Sequence, residues 1–332
     1  MESLSDICSR LWDLDRNRLK RGKKRDYQIK LQPKGDKLFS VVKRDKLKDK
    51  NVLPTYSAFM ELLDFYKAET SEPEEETKRQ RNKSRAFLNC CLDTDVMKEA
   101  HSFLSKKGLV PSSYRKAFKD KLYNLWFELH PRPSGDGTQR SAFEHTFVGE
   151  TCRGQVLGFH NWVRLYEEER RGNLRFNRCR PNACDDHIIT IDFSWNGKRK
   201  TFGSFFLGTS PEFELAIYTV CFLAGQGEST KVILGNKDAL IVTDRFNGQI
   251  GTCYPKIEVE SDEDPSDDEE FTLEVFEDEK LHKILQMLEE IKIMLLLFMK
   301  ASGIKIEPWM IHRIRPKYTS FTWTQISSLF EE

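Results

Sequence analysis

The chain has 332 residues and a net charge of +1; 39% of its residues are hydrophobic and 32% are charged. This length suits one large domain or two ordinary domains with a hydrophobic core. The longest apolar run, IMLLLFM at 293–299, is far shorter than the ~20 residues that span a bilayer. Because the first residues also lack a signal-peptide core, we expect an intracellular protein, cytoplasmic or nuclear, with no membrane span.

Charge is strongly segregated along the chain. Residues 16–50 contain 15 Lys or Arg and 4 Asp or Glu, whereas residues 258–270 contain nine acidic residues and no basic ones. The basic segment is either a solvated face or a surface that attracts a phosphate backbone. The acidic run predicts a linker over residues 258–278.

The eight cysteines form no compact disulfide framework. Cys179 and Cys184 are the pair whose spacing comes nearest to that of a zinc site, and His187 is close in sequence. No second Cys or His pair follows at a finger-like spacing. We therefore expect reduced thiols.

The first part of the chain has helical patterns. Residues 1–20 read as an amphipathic helix, and large apolar residues recur at helical spacing over 54–69. Another helix is predicted to begin at an Asp93 N-cap and to end at Gly108. Residues 1–130 are therefore predicted to form a helical amino-terminal lobe.

Strand patterns dominate after the break PRPSGDG. Two hairpins are predicted at Asn196-Gly197 and Asn247-Gly248, because Asn-Gly suits the positive φ angles of a type I′ turn. A buried helix is predicted between them, with Ser210 as its N-cap. Residues 139–257 are therefore predicted to form a β-rich lobe of antiparallel sheets with packed helices, which makes the chain an α+β protein.

Alternation along the strand that follows Asn196-Gly197 assigns four side chains to one face of the sheet. These side chains are Lys200, Phe202, Ser204 and Phe206. We expect the two phenylalanines to belong to the core rather than to a stacking surface.

The last part of the chain contains a predicted amphipathic helix at 279–300 within a carboxy-terminal segment, residues 279–332. Such a helix is a candidate for binding a partner protein.

Two histidines lie at mirrored positions in FEHTFVGETCRGQVLGFHNW, residues 143–162. If this segment is a hairpin that turns at Arg153-Gly154, its strands bring His145 and His160 to the same end. Two imidazoles in different surroundings are a typical pair for acid and base catalysis.

The surroundings of the two rings are predicted to differ. His160 directly precedes a helix that Asn161 can cap, and the positive end of that helix favours a neutral imidazole. His145 is placed on the facing strand, where Glu144 and Glu150 are near enough to favour its protonated form.

Several long motifs occur in the order found in one family of nucleases. FEHTFVGE, GFHNWVRLYEEE, WNGKRKTFGS, FFLGTSPEFELAIYT and IGTCYP, with LWDLDRNRL near the start, resemble the EndoU family of poly(U)-specific and uridylate-specific endoribonucleases. The resemblance covers about residues 3–257. It implies the EndoU type of catalytic lobe, and the carboxy-terminal segment lies outside it.

The resemblance implies cleavage of single-stranded RNA at uridylates, with a 2′,3′-cyclic phosphate as product. His160 matches the family's general base and His145 the acid that protonates the leaving 5′ oxygen. Lys200 matches the lysine whose cation stabilises charge at the phosphorus.

Other site residues are also implied by the resemblance. Tyr254 matches the aromatic that packs on the uridine, Thr252 is a neighbouring family position, and Ser204 is where relatives place a base-reading hydroxyl. Glu144 and Glu150 match supporting acids. Stimulation by a divalent metal, Mn²⁺ or Ca²⁺, is implied as well, but the sequence does not identify its ligands.

Two other classes of function remain open. The protein could be an RNA-binding protein with weak or regulated cleavage. The basic segment, residues 16–50, is compatible with this function as well. The acidic linker and the carboxy-terminal helix could instead recruit a protein partner, and this role is compatible with catalysis.

Overall fold

The computed structural model describes residues 2–31, 36–66, 68, 76–131, 139–152, 154–257, 292–294 and 296–300. The chain forms two compact units, Met1–Glu260 and Ser261–Glu332. Nearly all of the predicted linker at 258–278 and helix at 279–300 lies outside the described residues, apart from 292–294 and 296–300, which are helical. Among the helices in the described ranges, none has the length and apolar character needed to cross a membrane.

The first unit contains eight α-helices and two short π-helices within the described residues. The α-helices are α1 (Leu4–Leu14), α2 (Arg44–Lys48), α3 (Pro54–Leu63), α4 (Lys78–Leu92), α5 (Asp95–Lys106), α6 (Lys119–Trp126), α7 (Trp162–Arg171) and α8 (Pro211–Ala224). The π-helices are Tyr114–Phe118 and Glu144–Val148.

The strands of the same unit form small antiparallel sheets. They are β1 (Tyr27–Ile29), β2 (Phe39–Val42), β3 (His130–Pro131), β4 (Gln139–Arg140), β5 (Glu150–Cys152), β6 (Gln155–Leu157), β7 (Leu174–Cys184), β8 (Ile188–Trp195), β9 (Lys198–Phe206), β10 (Ser229–Leu234), β11 (Lys237–Phe246) and β12 (Gln249–Lys256). The two larger sheets have the strand orders β7-β8-β9 and β10-β11-β12. With helices concentrated before residue 127 and sheets after it, the fold is α+β, as predicted.

The amino-terminal helices differ from the prediction mainly at their ends. Helix α1 begins after a capping box at Ser3 and ends at Leu14, and α3 ends at Leu63 rather than extending to residue 69. The N-cap of α5 is Thr94, whose side chain accepts from the Met97 amide, whereas Asp93 is the C-cap of α4. The prediction of an Asp93 cap was therefore wrong by one residue.

The predicted hairpins are confirmed. Asn196 and Asn247 have φ angles of 50°, each followed by a glycine with φ of 77°, as a type I′ turn requires. Ser210 caps α8 by accepting from the Phe213 amide, and nearly all of this helix is buried. Helix α8 therefore forms the centre of the core on which the sheets and the amino-terminal helices pack.

The expectation of reduced thiols is wrong for one pair. Cys179 and Cys184 form a disulfide near the end of β7. Between them the pairing with β8 shifts, so that Cys179 lies opposite Ile191 and Cys184 opposite Ile189. This excursion of the strand brings the two sulfurs together, an outcome that their sequence spacing alone does not reveal.

Helix α7 is held firmly at both ends. Asn161, the predicted cap, accepts hydrogen bonds from the amides of Val163 and Arg164, and Gly172 ends the helix in the left-handed conformation. Farther along the helix, Glu169 accepts from two backbone amides of the segment before α2, and its neighbours are paired with arginines. These contacts fix the helix that begins just after His160.

Candidate active site

The segment that carries the two histidines folds back on itself. β5 pairs with β6 in an antiparallel hairpin, with Cys152 opposite Gln155, which confirms the predicted turn. His145, however, lies in the π-helix Glu144–Val148 that precedes β5 and not on a strand. A single helical turn has no sustained periodicity, so the strand assignment of His145 was a reasonable but wrong prediction.

Backbone hydrogen bonds connect the two histidine segments directly. The Phe159 amide donates to the His145 carbonyl at 2.9 Å, and the His160 amide donates to the Thr146 carbonyl at 2.8 Å. The relative position of the two histidines is therefore set by the main chain rather than by side-chain packing alone.

Gly158 makes this close approach possible, a role that the sequence analysis did not assign. Its φ angle is +58°, and a Cβ at this position would lie 2.0 Å from the carbonyl oxygen of His145. Because no side chain fits there, only glycine allows the loop before His160 to pack on the π-helix. In the sequence, the only sign of this close packing was a glycine two positions before His160.

His160 is an almost fully buried imidazole with a defined tautomer. Its Nδ1 lies 3.0 Å from the carbonyl oxygen of Ser204, which can only accept, so Nδ1 carries the proton and Nε2 has the lone pair. Burial lowers the pKa of His160 well below its ordinary value, and the charges of Lys200 and His145 lower it further. The lowered pKa favours the neutral ring that the sequence predicted, with burial rather than the helix end as its main cause.

His145 is more exposed and lies beside a carboxylate. Its Nδ1 is 3.3 Å from Oε2 of Glu150, with the two side chains 18% and 2% exposed. A carboxylate in this position favours a proton on Nδ1 and orients the ring. Glu144 instead pairs with Arg140 at 2.9 Å, and both side chains are fully buried, so the two predicted acids have different surroundings.

Lys200 carries its amine toward the β5–β6 hairpin. Nζ lies 3.5 Å from the carbonyl oxygen of Val156 in β6, and burial lowers the pKa of Lys200 to about 8. The charge of Lys200 also lowers the pKa of His160, so the two side chains interact electrostatically.

A bulge separates Lys200 from Ser204 on strand β9. Lys200 pairs with Phe193 and Gly203 with Ile191, so Thr201 and Phe202 both lie opposite a single residue of β8. One extra residue reverses the alternation of faces. The prediction that Lys200 and Ser204 share a face is therefore wrong; the hydroxyl of Ser204 lies 2.9 Å from that of Thr190, on the opposite face.

The same bulge changes the environment of the phenylalanines on β9. Phe206 is buried, as predicted, but Phe202 is 37% exposed. The assignment of Phe202 to the core was therefore wrong.

Tyr254 on β12 stacks on the ring of His160. Their ring centroids are 4.7 Å apart with an interplanar angle of 22°. Thr252 lies two residues earlier on the same strand, so its side chain shares a face with Tyr254; its buried hydroxyl has no hydrogen-bond partner among the described residues. The structure thus brings Tyr254 to the histidine pair.

The described residues do not provide a metal site. Within them, no three His, Cys, Asp or Glu side chains form a group that could hold a metal ion. Glu144 and Glu150, the acids implied by the resemblance, bind Arg140 and approach His145 respectively. These residues do not fit a divalent cation as they stand, and we assign no ligands to one.

Comparison with known proteins gives consistent matches over most of the first unit. The family model described as endoribonuclease XendoU matches residues 3–255. The chain is 39% identical over 277 residues to poly(U)-specific endoribonuclease-A of Xenopus laevis, covering 76% of this chain and 92% of that protein. It is 39% identical over 274 residues to uridylate-specific endoribonuclease B of Danio rerio, covering 76% and 95%.

Comparison with solved structures identifies the same family. The solved structure of XendoU, described as a splicing-independent snoRNA-processing endoribonuclease, matches with a TM-score of 0.65 and 37% identity over 77% of this chain and 97% of that chain. The family model, the sequence relatives and this structure all match the part of the chain that holds the histidine pair. The chain belongs to the XendoU family of endoribonucleases.

Proposed function

We propose that this endoribonuclease cleaves single-stranded RNA at uridylates by transesterification. The 2′ oxygen of the ribose attacks the adjacent phosphorus, the bond from phosphorus to the 5′ oxygen breaks, and a 2′,3′-cyclic phosphate remains. The observation that carries the proposal is the pair of histidines joined through main-chain hydrogen bonds, together with the charge of Lys200, which lowers the pKa of His160. The names of the relatives, poly(U)-specific and uridylate-specific, support the choice of base.

His160 is the proposed general base. Its Nδ1 is occupied by the Ser204 carbonyl, which leaves the lone pair of Nε2 for the proton of the 2′-OH. The lowered pKa of His160 keeps the ring neutral at physiological pH, the form that a base requires.

His145 is the proposed general acid. Glu150 beside Nδ1 orients the ring and favours a proton on that nitrogen, so Nε2 is the atom that gives its proton to the leaving 5′ oxygen. Its greater exposure suits contact with a leaving group that departs into solvent. The neutral buried ring and the carboxylate-paired ring are thus suited to opposite proton transfers.

Uridine binding is assigned to Tyr254, Ser204 and Thr252. Tyr254 offers an aromatic face next to His160, and base stacking contributes ~1–3 kcal/mol. The hydroxyl of Ser204 lies 2.9 Å from that of Thr190 on the face opposite Lys200, so it must exchange this partner to donate or accept at the base edge that distinguishes uracil from cytosine. Thr252, which has an unsatisfied buried hydroxyl, is the next candidate for this role.

Lys200 is proposed to stabilise charge at the phosphorus as a cation, and this predicts a pH dependence. With its pKa at about 8, Lys200 is mainly protonated at pH 7 and loses its charge as the pH rises through 8. The ratio of kcat/KM for wild type to that for Lys200→Arg should be constant below pH 7 and fall about tenfold per unit well above pH 8. All other titrations cancel in this ratio. A ratio that stays flat to pH 9.5 would contradict a charged role for Lys200.

The reaction itself is tested with an oligodeoxynucleotide that contains one ribouridine. We expect a single cut after that residue and a product ending in a 2′,3′-cyclic phosphate, identified by mass. The same strand with one ribocytidine should be cut more slowly, and the all-deoxy strand should not be cut. Cleavage of the all-deoxy strand, or products with 5′-phosphate ends, would exclude attack by the 2′-OH.

Metal stimulation stays a prediction, because no ligands are assigned within the described residues. The assay is therefore run with Mn²⁺, with Ca²⁺ and with a chelator. The proton transfers derived above use only the residues of the chain.

A further inference from the structure

Glu214 is a buried acid that the proposed proton transfers do not use. It lies in the first turn of α8, and its side chain is fully buried. Burial is the main cause that raises the pKa of Glu214 to about 8, so this side chain is mainly protonated at pH 7. Because a buried polar group is costly unless it has hydrogen-bond partners, the partners of Glu214 indicate its role.

The partners of Glu214 are the residue that follows His160 and a residue just before α8. Oε2 of Glu214 accepts from Nδ2 of Asn161 at 3.1 Å, and Oε1 accepts from the hydroxyl of Thr209 at 2.9 Å. The side chains of Asn161, Thr209 and Glu214 are all fully buried. Water is therefore not at hand to replace a partner that is removed.

The same contacts join the start of α7 to the start of α8. Nε1 of Trp162 donates to the carbonyl oxygen of Thr209 at 2.8 Å. Oδ1 of Asn161 accepts from the amides of Val163 and Arg164 at 3.0 and 3.1 Å. The side chain of Asn161 thus uses its oxygen to cap α7 and its nitrogen to bind α8.

His160 is directly bonded to this connection. Its amide donates to the Thr146 carbonyl at 2.8 Å, and its Nδ1 lies 3.0 Å from the Ser204 carbonyl oxygen. The next residue is Asn161, whose Cα lies one peptide unit, ~3.8 Å, farther along the chain. A shift of Asn161 therefore displaces the backbone of His160, and a displacement of ~1 Å at a catalytic group is enough to lower a rate by ~10²-fold.

We propose that Glu214 is a positioning residue, which holds the proposed general base His160 in place through the side chain of Asn161. The proposal rests on the proposed function, because it takes His160 to be the base. Glu214 acts here as a hydrogen-bond partner and not as a charge. The protonated acid donates to the Thr209 hydroxyl and accepts from the Asn161 amide, and a glutamine at this position is able to do both.

The first test compares kcat and KM for the ribouridine strand. Glu214→Ala should lower kcat by at least tenfold with little change in KM, because Tyr254 and Lys200 are untouched. Glu214→Gln should keep most of the wild-type kcat, since it keeps both hydrogen bonds. A kcat in Glu214→Gln as low as in Glu214→Ala would overturn the proposal.

Glu212→Ala is the matched control. Glu212 lies in the same turn of α8, is 1% exposed and accepts from Nδ2 of Asn17 at 2.6 Å. Its removal also takes away a buried hydrogen-bonded acid, but this acid binds the segment after α1. Glu212→Ala should therefore lower the unfolding temperature and keep the wild-type kcat. Equal losses of kcat in Glu212→Ala and Glu214→Ala would mean that Glu214 only supports the fold, and would overturn the proposal.

A substrate with a good leaving group shows which histidine Glu214 positions. Cleavage of uridine 3′-(p-nitrophenyl phosphate) needs a base but no acid, because p-nitrophenolate departs without protonation. Glu214→Ala should therefore lower kcat by the same factor on this ester and on the ribouridine strand. A loss on the strand alone would mean that the substitution disturbs His145 instead of His160, and would overturn the proposal.

The route through Asn161 is tested in the variant Asn161→Ser. Serine keeps an oxygen that caps α7 but has no amide nitrogen to donate to Glu214. In this background Glu214→Ala should change kcat by less than about twofold, because the contact that it removes is already absent. A full tenfold loss in this background would show that Glu214 acts by another route, and would overturn the proposal.

A measurement without substrate separates this proposal from the proposed function. Hydrogen exchange of the His160 amide, which donates to the Thr146 carbonyl, should be roughly 5- to 150-fold faster in Glu214→Ala than in Glu212→Ala, the range for one buried group left without its partner. Equal rates would overturn the proposal. If wild type cleaves neither RNA nor the ester, the proposed function fails, while the exchange rates still decide whether Glu214 holds His160 in place.

Discussion

Replacing either His145 or His160 with alanine is expected to lower RNA cleavage by about 10²–10⁴-fold, the contribution of one positioned acid or base. RNA binding should persist, because the aromatic ring of Tyr254 and the amine of Lys200 remain. The measurement is single-turnover cleavage of the ribouridine strand together with its Kd.

The two substitutions should differ on a substrate with a good leaving group. p-Nitrophenolate departs without protonation, so His145→Ala should cleave uridine 3′-(p-nitrophenyl phosphate) almost as fast as wild type. His160→Ala should be slow on both substrates, because the 2′-OH must lose its proton in either case. The reverse pattern would exchange the roles of acid and base.

Folding must be controlled for in this comparison, since His160 is 6% exposed and its truncation leaves a cavity that lowers the free energy of unfolding. His160→Gln keeps most of the volume without a base near neutral pH. If His160→Gln unfolds at the temperature of wild type and still cleaves RNA at the wild-type rate, then His160 is not the base.

The sequence predicts those parts of the fold that depend on local signals. Asn196-Gly197 specifies its turn because both residues tolerate positive φ, and Ser210 followed by Pro211 specifies the start of α8. Asn161 specifies the start of α7 in the same way. Each signal acts within a few residues, so no knowledge of the tertiary structure is needed.

Features that depend on distant partners were not predictable. Helix α4 was not predicted, because its first two turns, KRQRNKSR, contain no apolar residue to show a helical period. In the bulge on β9, two residues, Thr201 and Phe202, lie opposite one residue of β8. This extra residue determines both the exposure of Phe202 and the face of Ser204. Strict alternation cannot place an extra residue, although Gly203 directly after it is a residue type that often marks a bulge.

The same distinction between local signals and distant partners applies to the candidate site. The identities of His145, His160 and Lys200 follow from the motifs, but their environments do not. The pairing of Glu150 with His145, and of Glu144 with Arg140, arises from the π-helix. The same carboxylate type therefore orients a proposed catalytic ring at one position and neutralises a buried arginine at the other.

Gly158→Ala is expected to lower kcat/KM by at least ~10²-fold, although the residue takes no part in the chemistry. The added Cβ would lie 2.0 Å from the His145 carbonyl oxygen and 2.9 Å from Cδ2 of its ring. To relieve this overlap, the π-helix and the loop before His160 must move apart, which breaks the hydrogen bond from the Phe159 amide to that carbonyl. A displacement of ~1 Å between catalytic groups is enough for a loss of this size.

Gly154→Ala is the matched control for this prediction. Gly154 also has a positive φ, +85°, but nothing lies within 4 Å of the Cβ that alanine would add. Both substitutions incur the ~1–2 kcal/mol cost of a left-handed alanine, and only Gly158→Ala adds the overlap. Gly154→Ala should therefore lower the unfolding temperature slightly and keep nearly full activity. Equal losses of activity in the two variants would mean that backbone strain, and not the contact between Gly158 and His145, positions the histidine pair.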